Sequence, residues 1–390
     1  MIGGAIFLAA RHARANVPAS AILVACFALT TALPLSARLL FERYAESLTQ
    51  RAVATPMVAG ARGSRFDLVL ATTHFRRSQV QPATMSLVNR IAALRLGVAI
   101  PMSVEHTARG HVVVGTGIEY VEWRGLHFAA GEWPTELGQC VLGAAVAKQE
   151  GLWAGDHIYS DQSDVYDISR PPAIRMKVVG VLRPTGGPDD DVIFADIATA
   201  WAIAGILHGH DAVRTVRDPN MLLQKTENNV AISGALIEYN EVMPQTVRGY
   251  HLHADPSQLP VTSVLVAPKD QKSATLLYTE VNLSKTEQMV RPSAVMDELL
   301  SYVLRIKSVI DLVSVALVAT NAALTGLILM LTYRARAGER RTLLRIGAAR
   351  GVVPMMFGIE FAGLVGCGIV IAGCASAVLA MMAPDIVSML

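Results

Sequence analysis

The chain has 390 residues, 52% of them hydrophobic and 17% charged, with a mean hydropathy of +0.39 and a formal net charge of +2. Ordinary soluble domains carry about a quarter charged residues, so the composition argues against an all-soluble chain. The near-neutral charge gives no footing for nucleic acid, and four cysteines, three of them inside apolar runs, exclude a disulfide framework.

The apolar character is concentrated in three runs. Val17 to Phe41 contains a single charge, Arg38; Val309 to Tyr333 contains only Asp311; Val352 to Met382 contains only Glu360. Each exceeds the ~20 residues a helix needs to cross the hydrocarbon core. The first run is longer than the apolar stretch of a secretory signal peptide, about 7–15 residues, which favours a retained anchor over a cleaved leader. Arg11 and Arg14 precede it, and Arg334, Arg336, Arg340, Arg341, Arg345 and Arg350 lie between the second and third runs. By the positive-inside rule both flanks are cytoplasmic and the region between spans one and two faces outward. The expected order is a cytoplasmic segment (1–16), span one (17–41), an outer domain (42–305), span two (306–333), a cytoplasmic loop (334–351), span three (352–382) and an outer tail (383–390).

Within the outer region, Leu39 to Arg51 continues the first helix and Gly60 to Ser64 breaks it. Phe66 to Leu70 alternates as a strand does. Pro82 begins a helix carrying Met85, Val88, Ile91 and Leu96 on one face. His111 to Gly117 is a β-branched strand, and Cys140 to Gly143 is a strand entering a helix over Ala144 to Glu150 that Gly151 ends. Met176 to Leu182 and Asp191 to Phe194 are strands flanking the turn Pro184-Thr185-Gly186-Gly187-Pro188. The run Asp189-Asp190-Asp191 lacks calcium-loop spacing and reads as a solvated turn. A helix over Ile197 to Ile206 follows, and then a stretch without clear period from His208 to Pro260. Val261 to Val266 is a strand, and Ala274 to Asn282 and Ala294 to Ile306 are helical, the last leading into span two. The pattern predicts a membrane protein with transmembrane α-helices. A large α+β extracytoplasmic domain of two lobes is inserted between its first and second spans.

Motifs for chemistry are few. A phosphate-binding loop requires Gly-Lys, and no such dipeptide occurs, so any ATP is bound by another polypeptide. No Gly-x-Ser-x-Gly is present and Cys140 has no histidine nearby in sequence. His208 and His210, and His251 and His253, form two pairs spaced to share a strand face, each with an aspartate close by. They are either solvated loop residues or, if the pairs meet, ligands for zinc. Asp311, Asn321 and Glu360 are polar groups inside apolar runs, where each needs protein or water as a partner. Ala322-x3-Gly326 and Ala362-x3-Gly366 permit close approach of helices.

Two segments carry a resemblance. Val178 to Trp201 (VVGVLRPTGGPDDDVIFADIATAW) is similar to the strand–Pro-Thr-Gly–strand–helix signature in the outer domains of MacB-like and FtsX-like ABC transporter permeases. Gly338 to Val353 (GERRTLLRIGAARGVV) resembles their cytoplasmic coupling loop. The resemblance implies a permease that pairs with a second copy or a paralogue and binds a separate ATPase, which holds ATP and magnesium. Docking would use Glu339, Arg340, Arg341 and Arg345 for polar contacts and Leu343, Leu344 and Ile346 as an apolar face beside the Gly347-Ala348 turn. A bacterial inner-membrane location, contact with membrane lipid and a periplasmic adaptor or substrate-binding protein follow from the same resemblance. So does non-catalytic transmission of force to a lipid, lipoprotein, peptide or other substrate. The family pattern has a fourth span, whereas this sequence stops at Leu390, which marks a shortened member or an incomplete chain. A membrane-anchored ligand-binding or sensor protein is the alternative; it would have no use for the Arg334 to Val353 segment.

Overall fold

The computed structural model describes residues 2–15, 17–77, 81–161, 173–209, 222–225, 230–232, 239–242, 250–253, 255–335, 337–345 and 352–387. The chain opens with α1 (Ile2–Ala15) and α2 (Val17–Val53), followed by β1 (Met57–Ala61), α3 (Arg65–His74), β2 (Ala83–Thr84) and α4 (Met85–Ala93). Next come β3 (Gly97–Ala108), β4 (His111–Thr116), α5 (Ile118–Arg124), β5 (Phe128–Gly131), β6 (Gln139–Leu142) and α6 (Ala144–Glu150). The middle of the chain forms β7 (His157–Tyr159), β8 (Ala173–Leu182), β9 (Ile193–Asp196) and α7 (Ile197–Ile203). Short strands follow: β10 (Leu207–Gly209), β11 (Leu222–Lys225), β12 (Val230–Ile232), β13 (Tyr239–Glu241), β14 (Tyr250–Leu252) and β15 (Pro260–Val261). The chain continues with β16 (Ser263–Pro268), α8 (Gln271–Asn282), β17 (Glu287–Val290), α9 (Pro292–Ala335), α10 (Ala337–Arg345) and α11 (Val352–Val387).

Two compact units result: Leu48–Leu299, and Met1–Ser47 together with Leu300–Leu390. The first is a mixed α/β domain on a sheet ordered β13-β8-β6-β9-β4-β3-β16-β1-β17. Strand β3 serves both halves of that sheet. Its first residues, Gly97 to Met102, pair antiparallel with β16, and Ser103 to Ala108 pair with β4 with an irregularity between Ser103 and His106. One apolar cluster fills each half, around Met57, Leu87, Ile91 and Leu277 on one side and Cys140, Leu142, Met176 and Ile193 on the other. A third, with Phe75, Met102, Tyr120, Phe194 and Leu265, draws on both.

Several elements differ from the sequence reading. Phe66 to Leu70 belongs to helix α3, not to a strand. Ser64 caps it by accepting from the Asp67 amide, Asp67 sits in the first turn, and the buried set Leu68, Val69, Ala71 and Thr72 follows a helical face. Helix α2 ends at Val53, so the chain turns before Gly60, and Gly60 lies inside β1. Strands β3 and β17 were not legible. Their burial is uneven in β3 and brief in β17, so neither shows a clean two-residue period.

In the second unit, Ser20–Leu40 of α2 and Gly358–Leu379 of α11 are long and apolar enough, by length and composition, to cross a membrane. The apolar stretch of α9 among the described residues is Asp311–Leu324. Helices α2 and α11 touch through the hydroxyls of Ser36 and Ser376, 3.0 Å apart, and through an edge contact of Phe27 with Phe361. The close approach falls at Gly368, where a Cβ would stand 2.7 Å from that of Phe27. Among the described residues nothing lies within 4 Å of a Cβ placed at Gly326 or Gly366.

Candidate functional site

Arg51, in the last turn of α2, is the centre of a buried polar knot inside the α/β unit. Its guanidinium grips Asp189 with both carboxylate oxygens engaged, at 2.5 and 2.8 Å, with the two side chains only 13% and 2% exposed. The same guanidinium donates to the Tyr120 hydroxyl at 2.8 Å and, through Nε, to the Thr73 carbonyl at 2.9 Å. Tyr120 in turn donates to Asp189 Oδ1 at 2.7 Å. Arg124 donates to Thr55 Oγ1, and Thr55 donates to the Arg51 carbonyl, so the C-terminus of α2 is tied from two sides. A cation in the last helical turn also complements the helix dipole.

Each partner is placed by its own local structure. Asp189 is held by the turn that the sequence marks with Pro184 to Pro188. There Asp190 accepts from the amides of Thr185 and Gly186 and from the Thr185 hydroxyl, leaving its neighbour Asp189 pointed inward. The aspartate run is therefore not a solvated turn: Asp189 and Asp190 are buried, one satisfied by arginine and tyrosine and the other by the loop's own donors. A carboxylate can be buried only with such partners. Tyr120 comes from α5 and stacks on Phe194 at 5.6 Å, and Phe75 meets both rings edge-on. Phe75 takes the left-handed φ of 54° to end α3. That conformation costs about 1–2 kcal/mol, which is offset by burying the ring (about 1.5–3 kcal/mol) and by its aromatic contacts.

The electrostatics follow from burial. Loss of water raises the Asp189 pKa, but the hydrogen bonds and charge of Arg51 and the Tyr120 hydroxyl outweigh that and hold it below the usual carboxylate range. Burial first, and the adjacent Asp189 second, push Tyr120 up. Burial, with Arg51 and Arg124 nearby, pushes His74 down to about 4. The His74 ring shares a hydrogen bond of 2.8 Å with Thr73 Oγ1, and its Nε2 is buried with no hydrogen-bond partner among the described residues. The knot therefore holds two fixed cations, one carboxylate and a neutral imidazole.

Gly143 sets how closely the aspartate loop approaches. A Cβ there would stand 2.4 Å from the carbonyl oxygens of both Asp189 and Asp190. Gly143→Ala is expected to push the loop off Arg51 and lower stability by about 1–3 kcal/mol, as overpacking does. The midpoint of urea denaturation measures this; an unchanged midpoint would show that the loop yields freely.

Of the residues singled out from the sequence, Glu339, Arg340, Arg341, Leu343, Leu344 and Arg345 lie on α10, with Arg341 and Arg345 exposed. Ile346, Gly347 and Ala348 fall outside the described residues. Asp311 is exposed on α9, Asn321 is on the same helix, and Glu360 is half-buried on α11. His208 pairs with His251 across β10 and β14, and the rings of His251 and His253 meet edge-on at 4.7 Å. His210 is outside the described residues. Among the described side chains no three metal-ligating groups stand together. Sequence reasoning missed Arg51, Tyr120 and Asp189. The available signal was three aspartates wedged between two buried strands, one of which has to turn inward and find a cation.

No family model matches the chain, and no curated protein does. Among solved structures, the periplasmic region of MacB from Actinobacillus actinomycetemcomitans matches with a TM-score of 0.36 and 12% identity, covering 64% of this chain and 94% of that one. The extracellular domain of the noncanonic ABC-type transporter YknZ from Gram-positive bacteria matches with a TM-score of 0.33 and 10% identity, covering 60% of this chain and 98% of that one.

Proposed function

We propose that this chain is the permease subunit of an ABC-type complex, converting ATP hydrolysis by a separate ATPase into movement of an outer domain. The observation that carries the reading is the length of two helices. Helix α2 is 37 residues and α9 is 44, about 56 and 66 Å at 1.5 Å per residue, against the ~30 Å of a hydrocarbon core. Each contains an apolar stretch, Ser20–Leu40 in α2 and Asp311–Leu324 in α9, and also residues of the α/β unit. In this reading movement of the spans is passed on to the outer domain. The two halves of the sheet, sharing β3, behave as two lobes that change their relative angle. The chain works as a dimer in a bacterial inner membrane with this domain in the periplasm. It catalyses no reaction itself, because ATP and magnesium sit in the partner.

The ATPase docks on α10 and the residues that follow it in sequence, with Leu343, Leu344 and Ile346 as the apolar contact and Glu339, Arg340, Arg341 and Arg345 around them. The double variant Arg341→Glu with Leu344→Asp is expected to abolish copurification of the ATPase from detergent-solubilised membranes while membrane insertion stays normal. Undiminished copurification would remove α10 as the docking element. A wild-type chain that purifies without any ATPase would favour an anchored receptor instead.

A further inference from the structure

We propose that an anionic phospholipid binds in the groove beside the contact of α2 with α11, its headgroup held by Arg14 and an acyl chain laid along a floor of alanines. The proposal rests on the reading of both helices as membrane spans. The contacts of Phe27 with Gly368 and of Ser36 with Ser376 run in the same sense along the two chains, so α2 and α11 lie parallel. A cavity of about 810 Å³ opens there, within the ~300–1,000 Å³ usual for a small-molecule site. Its lining includes Ala21, Ala25, Ala28 and Ala32 of α2, with Ala372 and Ala375 of α11. The first four recur at i, i+4, i+7 and i+11 and so share one helical face, which their methyl side chains leave recessed. The Ser20 hydroxyl, also in the lining, donates to the Ala13 carbonyl at 3.4 Å and asks nothing of an occupant. Val17 to Ala32 covers about 22 Å at 1.5 Å per residue, more than the ~15 Å depth of one leaflet's hydrocarbon.

The charge at the N-terminal end of the groove chooses the occupant. Arg14 lines that end and is exposed. Among the described residues no acidic side chain pairs with it. The first acidic residue of the chain is Glu42, so the segment that carries Arg11 and Arg14 has no anion of its own. Arg14 immediately precedes the apolar run, which sets it at headgroup level on the cytoplasmic side. Basic pockets between spans on that side take anionic lipid headgroups, and a guanidinium suits a phosphate through two parallel hydrogen bonds. A face of small residues also suits another helix, but a second copy fits this one poorly. In a two-fold pair the same patch meets itself, and parallel chains would bring Arg14 against Arg14 at one depth. Entering the groove gains a lipid chain no hydrophobic free energy, because the surrounding tails are equally apolar. Selectivity among lipids therefore comes from Arg14, and the alanines supply shape.

The test is electron spin resonance of the full-length protein in phosphatidylcholine nanodiscs containing a few per cent of a chain-labelled lipid, either phosphatidylglycerol or phosphatidylcholine. The wild type is expected to hold labelled phosphatidylglycerol in its motionally restricted fraction about fivefold more strongly than labelled phosphatidylcholine, the ratio that the charge of one arginine near the surface provides. Arg14→Ala should abolish this preference and Arg14→Lys should keep most of it. Ala25→Trp, which fills the groove at an exposed position, should reduce the restricted fraction of both lipids. Equal retention of the two lipids by the wild type overturns the proposal, as does a preference that survives Arg14→Ala. Efficient disulfide cross-linking of two chains through Ala25→Cys, with Cys26, Cys367 and Cys374 replaced by serine, also overturns it by giving the groove to a second copy. Extraction of the chain from native membranes by alkaline carbonate would remove the spans, and the permease reading with them. A chain that resists extraction but shows no lipid preference strikes this proposal alone.

Discussion

Asp189→Asn is expected to destabilise the α/β unit by about 3–5 kcal/mol, the cost of leaving a buried charge without its counter-ion. Among the described residues this carboxylate is the anion that faces Arg51, Arg124 and the Tyr120 hydroxyl, and it is almost fully buried. Asparagine keeps the shape but not the charge, so the effect isolates electrostatics from packing. All four tryptophans, Trp123, Trp133, Trp153 and Trp201, lie within Leu48–Leu299, so their fluorescence during urea denaturation reports this unit alone. A loss below about 1 kcal/mol would mean that water reaches the site and that the pair is a surface salt bridge in effect. The double variant Arg51→Met with Asp189→Leu is the informative companion. Replacing both partners of a buried pair by apolar groups is often neutral or stabilising, so most of the stability should return. If the chain is a permease subunit, as proposed, and the pair takes part in its movement, the refolded double variant should still copurify with an ATPase yet fail to support transport. Retained transport would assign the pair to stability alone.

What the sequence discloses here divides along a physical line. The strand–glycine–helix step at Cys140 to Gly151 is legible because Gly151 takes a left-handed φ of 65° after a short helix with an apolar face. The turn from Pro184 to Pro188 is legible for the same reason: its residues satisfy their backbone locally. Phe66 to Leu70 misleads because five residues cannot distinguish alternation from the start of a helical face, and the deciding group, Ser64, lies outside them. Strand β3 is hidden because it changes partners at Ser103, so no single face is buried throughout. The knot is hidden for a deeper reason. Arg51, Tyr120 and Asp189 are far apart in sequence, and only tertiary packing shows that the charged members of the turn and of the helix end are each other's counter-ions.

Lowering the pH from about 7 to 4.5 is expected to weaken the α/β unit through His74. Its folded pKa is about 4, while an unfolded histidine titrates near 6.5. Between those values the unfolded chain binds more protons than the folded one, so stability falls as pH falls, by about 1.4 kcal/mol per pH unit for one group. Because the ring is partly exposed, a total near 2–3 kcal/mol is the reasonable scale. His106 adds an effect of the same sign, since burial, with Arg77 next, also lowers it. Asp189 acts in a different window. Its folded pKa is depressed below about 3.9, so its contribution persists through this range and is lost only in stronger acid. Urea midpoints between pH 7 and 4.5 for the wild type and His74→Leu separate the terms, because the variant removes the proton that charges beside Arg51 and Arg124. The wild type should lose stability more steeply, by close to one proton's worth of slope, and parallel curves would exclude His74 as the titrating group. The acid-sensitive imidazole thus stands beside Arg51 and Arg124. As pH falls, the His74 contribution is therefore lost before that of the Arg51–Asp189 pair.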